Sequence, residues 1–431
     1  MRDILAMIMA GGAGERLYPL TRDRAKPAVP FGGIYRLIDF TLSNCVNSGV
    51  RKIAVLTQYK SLSLERHIRL GWNIFNSELD EYIFFIPPQM RIGGDWYKGT
   101  ADCIYQNLYF ADMVNPCYFL ILSADHVYKM DYSEMLTFHK SKGADVTMAT
   151  IEVDPLEESR FGIVRVDKED RITGFEEKPE RLEPASQGRE NLSANMGVYI
   201  FNSHTLREFL GEDALKNSHH DFGRDIIPAM TQNNVKVFSY NFKDVNKKEP
   251  KYWRDVGTIE SYFDASMDLV APGPTLNLYD TDWPIRTYQG QYPPAKTVFA
   301  QEYHGGRLGI CLDSIVSGGC VISGGRAQNC VLSPRVRINS YAEVKESVLM
   351  EDVGVGRYCK IKRAIIDKGV KVPPGTEIGY DIREDRKRFL VSNGGIVVIS
   401  KGMEVPLSKE ETPVTESVIE YGVPVGVDSC M

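Results

Sequence analysis

The residues with the clearest chemical potential lie in "MAGGAGERLYPLTRDRAKPAV", Met9 to Val29. Gly11, Gly12 and Gly14 close an apolar run, and Arg16, Arg22, Arg24 and Lys26 follow. Glycines without a Cβ let backbone N–H groups approach phosphate oxygens closely. Arg16 and Lys26 can add charge-assisted hydrogen bonds from the same loop. The spacing is neither G-x-G-x-x-G nor a P-loop, because no Gly-Lys-Ser/Thr follows. A plain tight turn remains the alternative for the glycines, and a solvated loop for Arg22 and Arg24. The whole chain carries a net charge of −6, so the cations are a local gathering suited to a polyanion.

A second set of groups supplies negative charge. In "LSADHVYKMDY" (122–132), Asp125 follows a strongly apolar run, where an α/β sheet presents catalytic groups. A carboxylate there can hold Mg²⁺ beside substrate phosphate oxygens, or it can cap the next helix. "YWRDVGT" (252–258) offers Asp255 as a second carboxylate, or as part of an ordinary surface loop. In "GFEEKPE" (174–180), Lys178 precedes a proline that keeps the backbone extended, ready for a monophosphate or for solvent. "DWYKGTADCIYQN" (95–107) combines aromatic, glycine and hydroxyl groups suited to a sugar or a base. His219 and His220, in the polar "NSHHDFG", read as solvent-exposed or capping groups rather than metal ligands.

Positioning these groups requires strands that end at them. "ILAMIMA" (4–10), "KIAVLTQY" (52–59), "YFLILSAD" (118–125), "DVTMATIEV" (145–153) and "NMGVYIF" (195–201) are near-continuous apolar runs. Such runs fit strands covered on both faces, as in a parallel α/β sheet. "RLIDFTLSNCVNSG" and "DYSEMLTFHKSKGAD" show helical spacing between them, the second ending at Gly143. The alternation predicts a doubly wound, mostly parallel sheet with ligands at the carboxyl ends of its strands. We place this unit at residues 1–272 and a proline-rich linker at 273–296. Beyond it, "CVLSPRVRI" (330–338), "SVLMEDVGV" (347–355) and "AIIDKGVKV" (364–372) repeat every 17 residues, with a looser copy at "IVSGGCVI". That period leaves no room for a helix and predicts a β-solenoid over residues 297–431.

Composition sets the outer limits. The 431 residues, 43% hydrophobic and 25% charged, suit a globular protein of two or three domains. Mild acidity argues against a nucleic-acid binder. No apolar run approaches the ~20 residues of a membrane span. The N-terminal apolar run leads straight into the glycine turn, so it reads as a first strand and the protein as cytoplasmic. Eight cysteines without ligand spacing read as small core residues in a reducing compartment. No Ser/His/Asp or Cys/His set suggests covalent catalysis. No histidine follows His304, which removes the usual general base of an acyl-transferring solenoid.

"MAGGAGERLYPLT" with "RAKPAV" is similar to the signature of sugar-nucleotide pyrophosphorylases. "WYKGTAD", "SADHVY", "FGIV", "EEKP", "DFGRDIIP" and "YWRDVGT", in that order, resemble the bacterial glucose-1-phosphate adenylyltransferases across nearly the whole chain. The resemblance implies synthesis of ADP-glucose and pyrophosphate from ATP and α-D-glucose 1-phosphate, with Mg²⁺, as the committed step of glycogen formation. It also implies a Rossmann-like catalytic domain, a left-handed parallel β-helix, a homotetramer and control by a sugar-phosphate type effector. By the same resemblance Gly11, Gly12 and Gly14 line the nucleotide phosphates, Arg16 and Lys26 neutralise the triphosphate, and Asp125 and Asp255 hold the metal. Tyr97, Gly162, Glu177 and Lys178 match glucose 1-phosphate contacts, and Asn195 falls on the family's sugar-site serine, where an amide can still hydrogen-bond a sugar hydroxyl. Arg24, Arg36 and Lys368 match basic effector residues, and Lys401 lies in the same region. Asp23 and Pro30 replace a lysine and a histidine of relatives activated by fructose 1,6-bisphosphate, so a different activator is expected. A non-catalytic regulatory subunit of the same architecture is the competing expectation; the presence of Arg16, Lys26, Asp125, Lys178 and Asp255 favours the enzyme.

Overall fold

The computed structural model describes residues 1–89, 96–179, 192–244, 249–301, 303 and 305–406. The end of the solenoid region, 407–431, lies outside them. The N-terminal part is built on a mixed nine-stranded sheet. Ile4–Ala10 lies at its centre, paired in parallel with Lys52–Thr57 on one side and Tyr118–Ser123 on the other. Tyr82–Ile86, a strand not anticipated from the sequence, extends the Lys52–Thr57 side in parallel.

The other half of the sheet departs from the parallel expectation. Leu192–Asn202 runs antiparallel to Tyr118–Ser123, Val146–Val153 and Gly162–Val166. Continuous apolar character reports burial on both faces, and it is silent on strand direction. Two apolar clusters, one on each face, bury the central strands: Ile8, Ile53 and Leu120 on one side and Met7, Leu56 and Ile121 on the other. The carboxyl ends of Ile4–Ala10 and Tyr118–Ser123 consequently meet at one edge of the layer, where the glycine turn and Asp125 follow them.

Helix Tyr132–Ser141 shows how local chemistry fixes an element. Asp131 caps it by accepting from the Ser133 N–H at 2.8 Å, and Gly143 just beyond takes φ +56. His139 on its inner face is buried between Thr147 and Asn202, with ring nitrogens 2.8 and 3.2 Å from their side-chain oxygens. Burial holds its imidazole below the ordinary value of 6.5, against the raising influence of Asn202 and Asp145. The unfolded chain then binds the extra proton first as pH falls, so the stabilisation is complete above the unfolded value and declines below it. We expect urea midpoints to be level above about pH 6.5 and to fall below it, with a slope of at most ~1.4 kcal/mol per pH unit from this group. His139→Gln should flatten that limb.

Residues 296–399 form a parallel β-helix. Arg326, Glu343, Lys360 and Glu377 stand in register along one column, Val331, Val348 and Ile365 along a second, and Arg337, Gly354 and Lys371 along a third. The 17-residue repeat is the length of one coil from Arg326 to Glu377, the coil from Ile310 to Arg326 being one residue shorter, and Val344, Val355, Ile361 and Ile366 fill the interior. The outer residues Val331, Val348, Ile365 and Val398 share a further apolar cluster with Leu17, Phe31, Phe40 and Phe263 of the N-terminal part. Segment 271–295 lies against helix Leu37–Asn47. Trp283 Nε1 donates to Asn44 at 3.0 Å, and the Thr287 hydroxyl donates to the buried Asp39 at 2.7 Å. Asp39 is fully enclosed yet satisfied, since Trp72 Nε1 and the Arg36 N–H also donate to it and His67 Nε2 lies 2.6 Å away. The seven described cysteines are free. Among the described residues no helix is long and apolar enough to cross a membrane.

Candidate active site

A cleft of about 250 Å³ opens at the carboxyl ends of the central strands. Arg16, Lys26, Asp125, Gly162, Glu177, Lys178, Asn195 and Asp255 all line it. Three chain segments far apart in sequence therefore converge there. Lys26 enters from the loop after the first strand, Asp125 from the end of Tyr118–Ser123, and Asp255 from the short strand Trp253–Asp255. That strand pairs antiparallel with His126–Tyr128, setting Asp255 opposite His126.

The Lys26 ammonium lies 2.6 Å from Asp125 Oδ2 and 3.2 Å from Asp255 Oδ1. Burial pulls its pKa down, but the two carboxylates outweigh that and raise it. Burial likewise pushes Asp125 upward, but Lys26 and His126 hold its carboxyl well below the usual carboxylate range. Both groups are charged at neutral pH. The alternative role of Asp125 as a helix cap falls away, because Asp131 caps the helix that follows. Arg16 stands beside Asp255: a Cβ at Gly257 would lie 3.0 Å from Arg16 Nη2 and 3.0 Å from both Asp255 oxygens.

The glycine loop abuts this cluster without lining the cleft. Gly14 adopts φ +67, and a Cβ there would come within 3.1 Å of the Lys26 Cβ and 3.0 Å of Thr21. The Thr21 hydroxyl donates to the Gly14 carbonyl at 2.9 Å and ties the loop shut. Gly11 packs against Gln58, and the side of Gly12 that would carry a Cβ faces open space. Across the site, Glu177 is wedged between Gly162 and Gly223, whose hypothetical Cβ atoms would sit 2.7 and 2.6 Å from its Oε2. Lys178 donates to Glu177 at 2.7 Å and is half exposed. Tyr97 is buried away from the cleft, its hydroxyl accepting from Asn107 at 3.0 Å.

The three basic residues expected at an effector site occupy a different place, between the two halves of the molecule. Arg24 Nη2 donates to both Asp367 oxygens at 2.9 and 2.8 Å, and both side chains are buried. Lys368 pairs with Glu351 at 3.1 Å, and Arg36 donates to the Ser63 carbonyl at 2.8 Å. Burial depresses the Lys368 ammonium, and Arg36 and Arg24 depress it further against Glu351. The three cations thus sense one another. The Lys401 carbonyl accepts from Arg22 at 2.6 Å.

Residues 5–271 match the family described as Nucleotidyl transferase, and residues 293–399 match the family described as GlmU-like, C-terminal hexapeptide. The glucose-1-phosphate adenylyltransferase of Koribacter versatilis is 55% identical over 404 residues, covering 93% of this chain and 96% of the relative. That of Rhodopirellula baltica is 52% identical, covering 93% and 91%. Glucose-1-phosphate adenylyltransferase 2 of Vibrio cholerae is 50% identical, covering 94% and 99%. The chain belongs to the glucose-1-phosphate adenylyltransferase family.

In this adenylyltransferase, Asp125, His126 and Asp255 each offer a ligand atom, all within 4.8 Å of one another. Two carboxylates supply the hard oxygen donors a divalent cation takes. The protein's own ammonium between them shows that positive charge is stabilised at that point. The donor set fits a divalent metal. Several cleft residues had no role in the sequence reading: His126, Tyr199, Asp221, Phe222 and Trp253 all line the wall. Asp221 lies directly after the two histidines, in the polar segment that reads as solvent-exposed or capping. The first two residues of "DFG" were the available signal there, since an acid beside an aromatic in a polar loop suits a sugar.

Proposed function

We propose that the chain transfers the adenylyl group of ATP to α-D-glucose 1-phosphate, giving ADP-glucose and pyrophosphate. The observation that carries this reading is the Lys26 ammonium between Asp125 and Asp255, with Arg16 alongside, in one cleft with Glu177 and Lys178. The family membership supports the same substrates. A phosphate oxygen of glucose 1-phosphate forms a bond to the α-phosphorus of ATP, and the bond from that phosphorus to the β-phosphate oxygen breaks. The electron pair leaves with pyrophosphate. Two anions must meet and a third departs, so orientation and fixed positive charge supply most of the acceleration.

Arg16 and Lys26 take the triphosphate, with Gly11, Gly12 and Gly14 close to it. Lys178 anchors the sugar phosphate, and Glu177 accepts from sugar hydroxyls. Asp125 and Asp255 hold Mg²⁺, which when bound offsets charge on the phosphates. Tyr97 is a glucose 1-phosphate contact by the same resemblance. The catalytic unit spans 1–272, the linker 273–296, and 297–431 serves regulation and assembly as a cytoplasmic homotetramer. Arg24, Arg36 and Lys368 receive a sugar-phosphate effector other than fructose 1,6-bisphosphate, in control of glycogen formation.

The test is pyrophosphate release from glucose 1-phosphate with each of four nucleoside triphosphates, with and without Mg²⁺; no release with ATP would refute the reading. Lys178→Ala should raise the KM for glucose 1-phosphate about tenfold while leaving that for ATP unchanged, the low end for a charged hydrogen bond because the side chain is half exposed.

A further inference from the structure

Two carboxylates face the basic cluster between the two halves of the molecule, and they are held in different ways. Asp367 gives both oxygens to the buried Arg24 guanidinium, and its Oδ1 also takes the Lys368 N–H at 2.7 Å. Glu351 instead divides its oxygens between the cluster and groups outside it. Its Oε2 accepts from the Lys368 ammonium at 3.1 Å, while its Oε1 accepts from the Tyr292 hydroxyl at 3.0 Å and from Arg335 Nη2 at 3.1 Å. Arg335 is anchored independently by two bonds of 2.6 Å to Asp352. Lys368 can therefore leave Glu351 without stranding the carboxylate, which keeps two donors. Burial pushes Glu351 upward, but Lys368, Tyr292 and Arg335 outweigh it and hold the carboxyl below its ordinary value. The Tyr292 phenol is pushed up to about 12 by burial and by Glu351, so it keeps its proton and donates.

We propose that Glu351 is an internal counter-ion that an entering anion must replace at Lys368, and that it suits this place to a ligand with one phosphate rather than two. This rests on the effector reading above. Arg24, Arg36 and Lys368 carry three positive charges, and Asp367 and Glu351 return two negative ones. Arg36 donates to the neutral Ser63 carbonyl and hydroxyl, at 2.8 and 2.9 Å. Asp39 and Arg66 act on Arg36 in opposite directions, and Glu351 acts with Asp39. A phosphate monoester there engages Arg36 and Lys368, and Glu351 turns wholly to Tyr292 and Arg335. Asp367 takes no part in the exchange, because releasing Arg24 would leave two buried charges apart. Glu351 stays near the ligand after the exchange, so each further negative charge on that ligand meets its repulsion. A bisphosphate brings the most. Tyr292 belongs to the linker, so the exchange also changes how Glu351 holds that segment against the β-helix.

Glu351→Gln tests this, because it preserves shape and removes the charge. The amide oxygen still accepts from Tyr292 and Arg335, while the NH₂ facing Lys368 can only donate and cannot pair with it. Calorimetric titration of the full enzyme should show fructose 6-phosphate bound about tenfold more tightly than by wild type, and fructose 1,6-bisphosphate gaining by a larger factor. Glu343→Gln, which removes the same charge from a carboxylate paired with Lys345, should change neither constant. Tyr292→Phe acts in the opposite sense and decides the matter should the glutamine variant fail to fold. It takes a donor from Oε1, ties Glu351 more firmly to Lys368, and should weaken fructose 6-phosphate binding about threefold. Unchanged or weaker binding in Glu351→Gln, an equal gain for the two sugar phosphates, the same gain in Glu343→Gln, or unchanged or tighter binding in Tyr292→Phe overturns the inference alone. Wild-type and Glu351→Gln enzymes that bind neither sugar phosphate overturn the effector reading as well.

Discussion

Asp125→Ala is expected to lower kcat by about 10²–10³-fold, the cost of removing one preorganised charge from a phosphoryl-transfer site. The side chain is 29% exposed at the cleft, and its partners there are Lys26 and His126. It packs no core. Lys26 keeps Asp255 at 3.2 Å in the variant, so its ammonium is not stranded and the fold survives. Steady-state pyrophosphate release, with circular dichroism for the fold, separates the two effects. Titration of divalent cations into the variant should also show weaker binding, independent of turnover. Wild-type kcat in the variant would remove Asp125 from the reaction.

The second large effect is on stability. Arg24→Ala should destabilise the protein by about 3–5 kcal/mol, because among the described residues it leaves the buried Asp367 carboxylate with only the Lys368 N–H, at 2.7 Å, to offset it. The double variant Arg24→Met with Asp367→Leu should recover most of that loss, since the desolvation cost disappears with the charges. Urea unfolding midpoints of the single and double variants decide the matter. A single variant within 1 kcal/mol of wild type, roughly the worth of an exposed pair, would mean that water reaches the pair. Residues 24 and 26 face different ways along one loop, the first into the β-helix and the second into the cleft. Arg24→Ala should therefore also lower activity through the placement of Lys26, although it touches no substrate.

The parts of this molecule that were legible in the sequence are those where a local pattern reports a local cause. The glycine turn, the apolar strands and the 17-residue repeat each follow from the conformation or burial of the residues that carry them. Asp125 and Asp255 could be named as carboxylates at turns, but 129 intervening residues hide the pairing of His126–Tyr128 with Trp253–Asp255 that brings them together. The mostly parallel sheet holds around Ile4–Ala10, and the antiparallel course of Leu192–Asn202 was hidden because an apolar run encodes two covered faces and nothing about its neighbours' sense. Tyr97 is named by resemblance alone, and the hydrogen bond from Asn107 to its hydroxyl follows from no spacing rule. Asp221 and Tyr199 went unassigned because they are ordinary polar and aromatic side chains whose meaning lies in their convergence on the cleft wall.

The register of the C-terminal columns carries a consequence for how this chain can change length. Loss or duplication of seventeen residues would shorten or lengthen the solenoid by one rung of ~4.8 Å and leave all three stripes aligned, and the coil from Ile310 to Arg326 keeps the same register with sixteen. Growth in that half is quantised, and its natural unit is the rung.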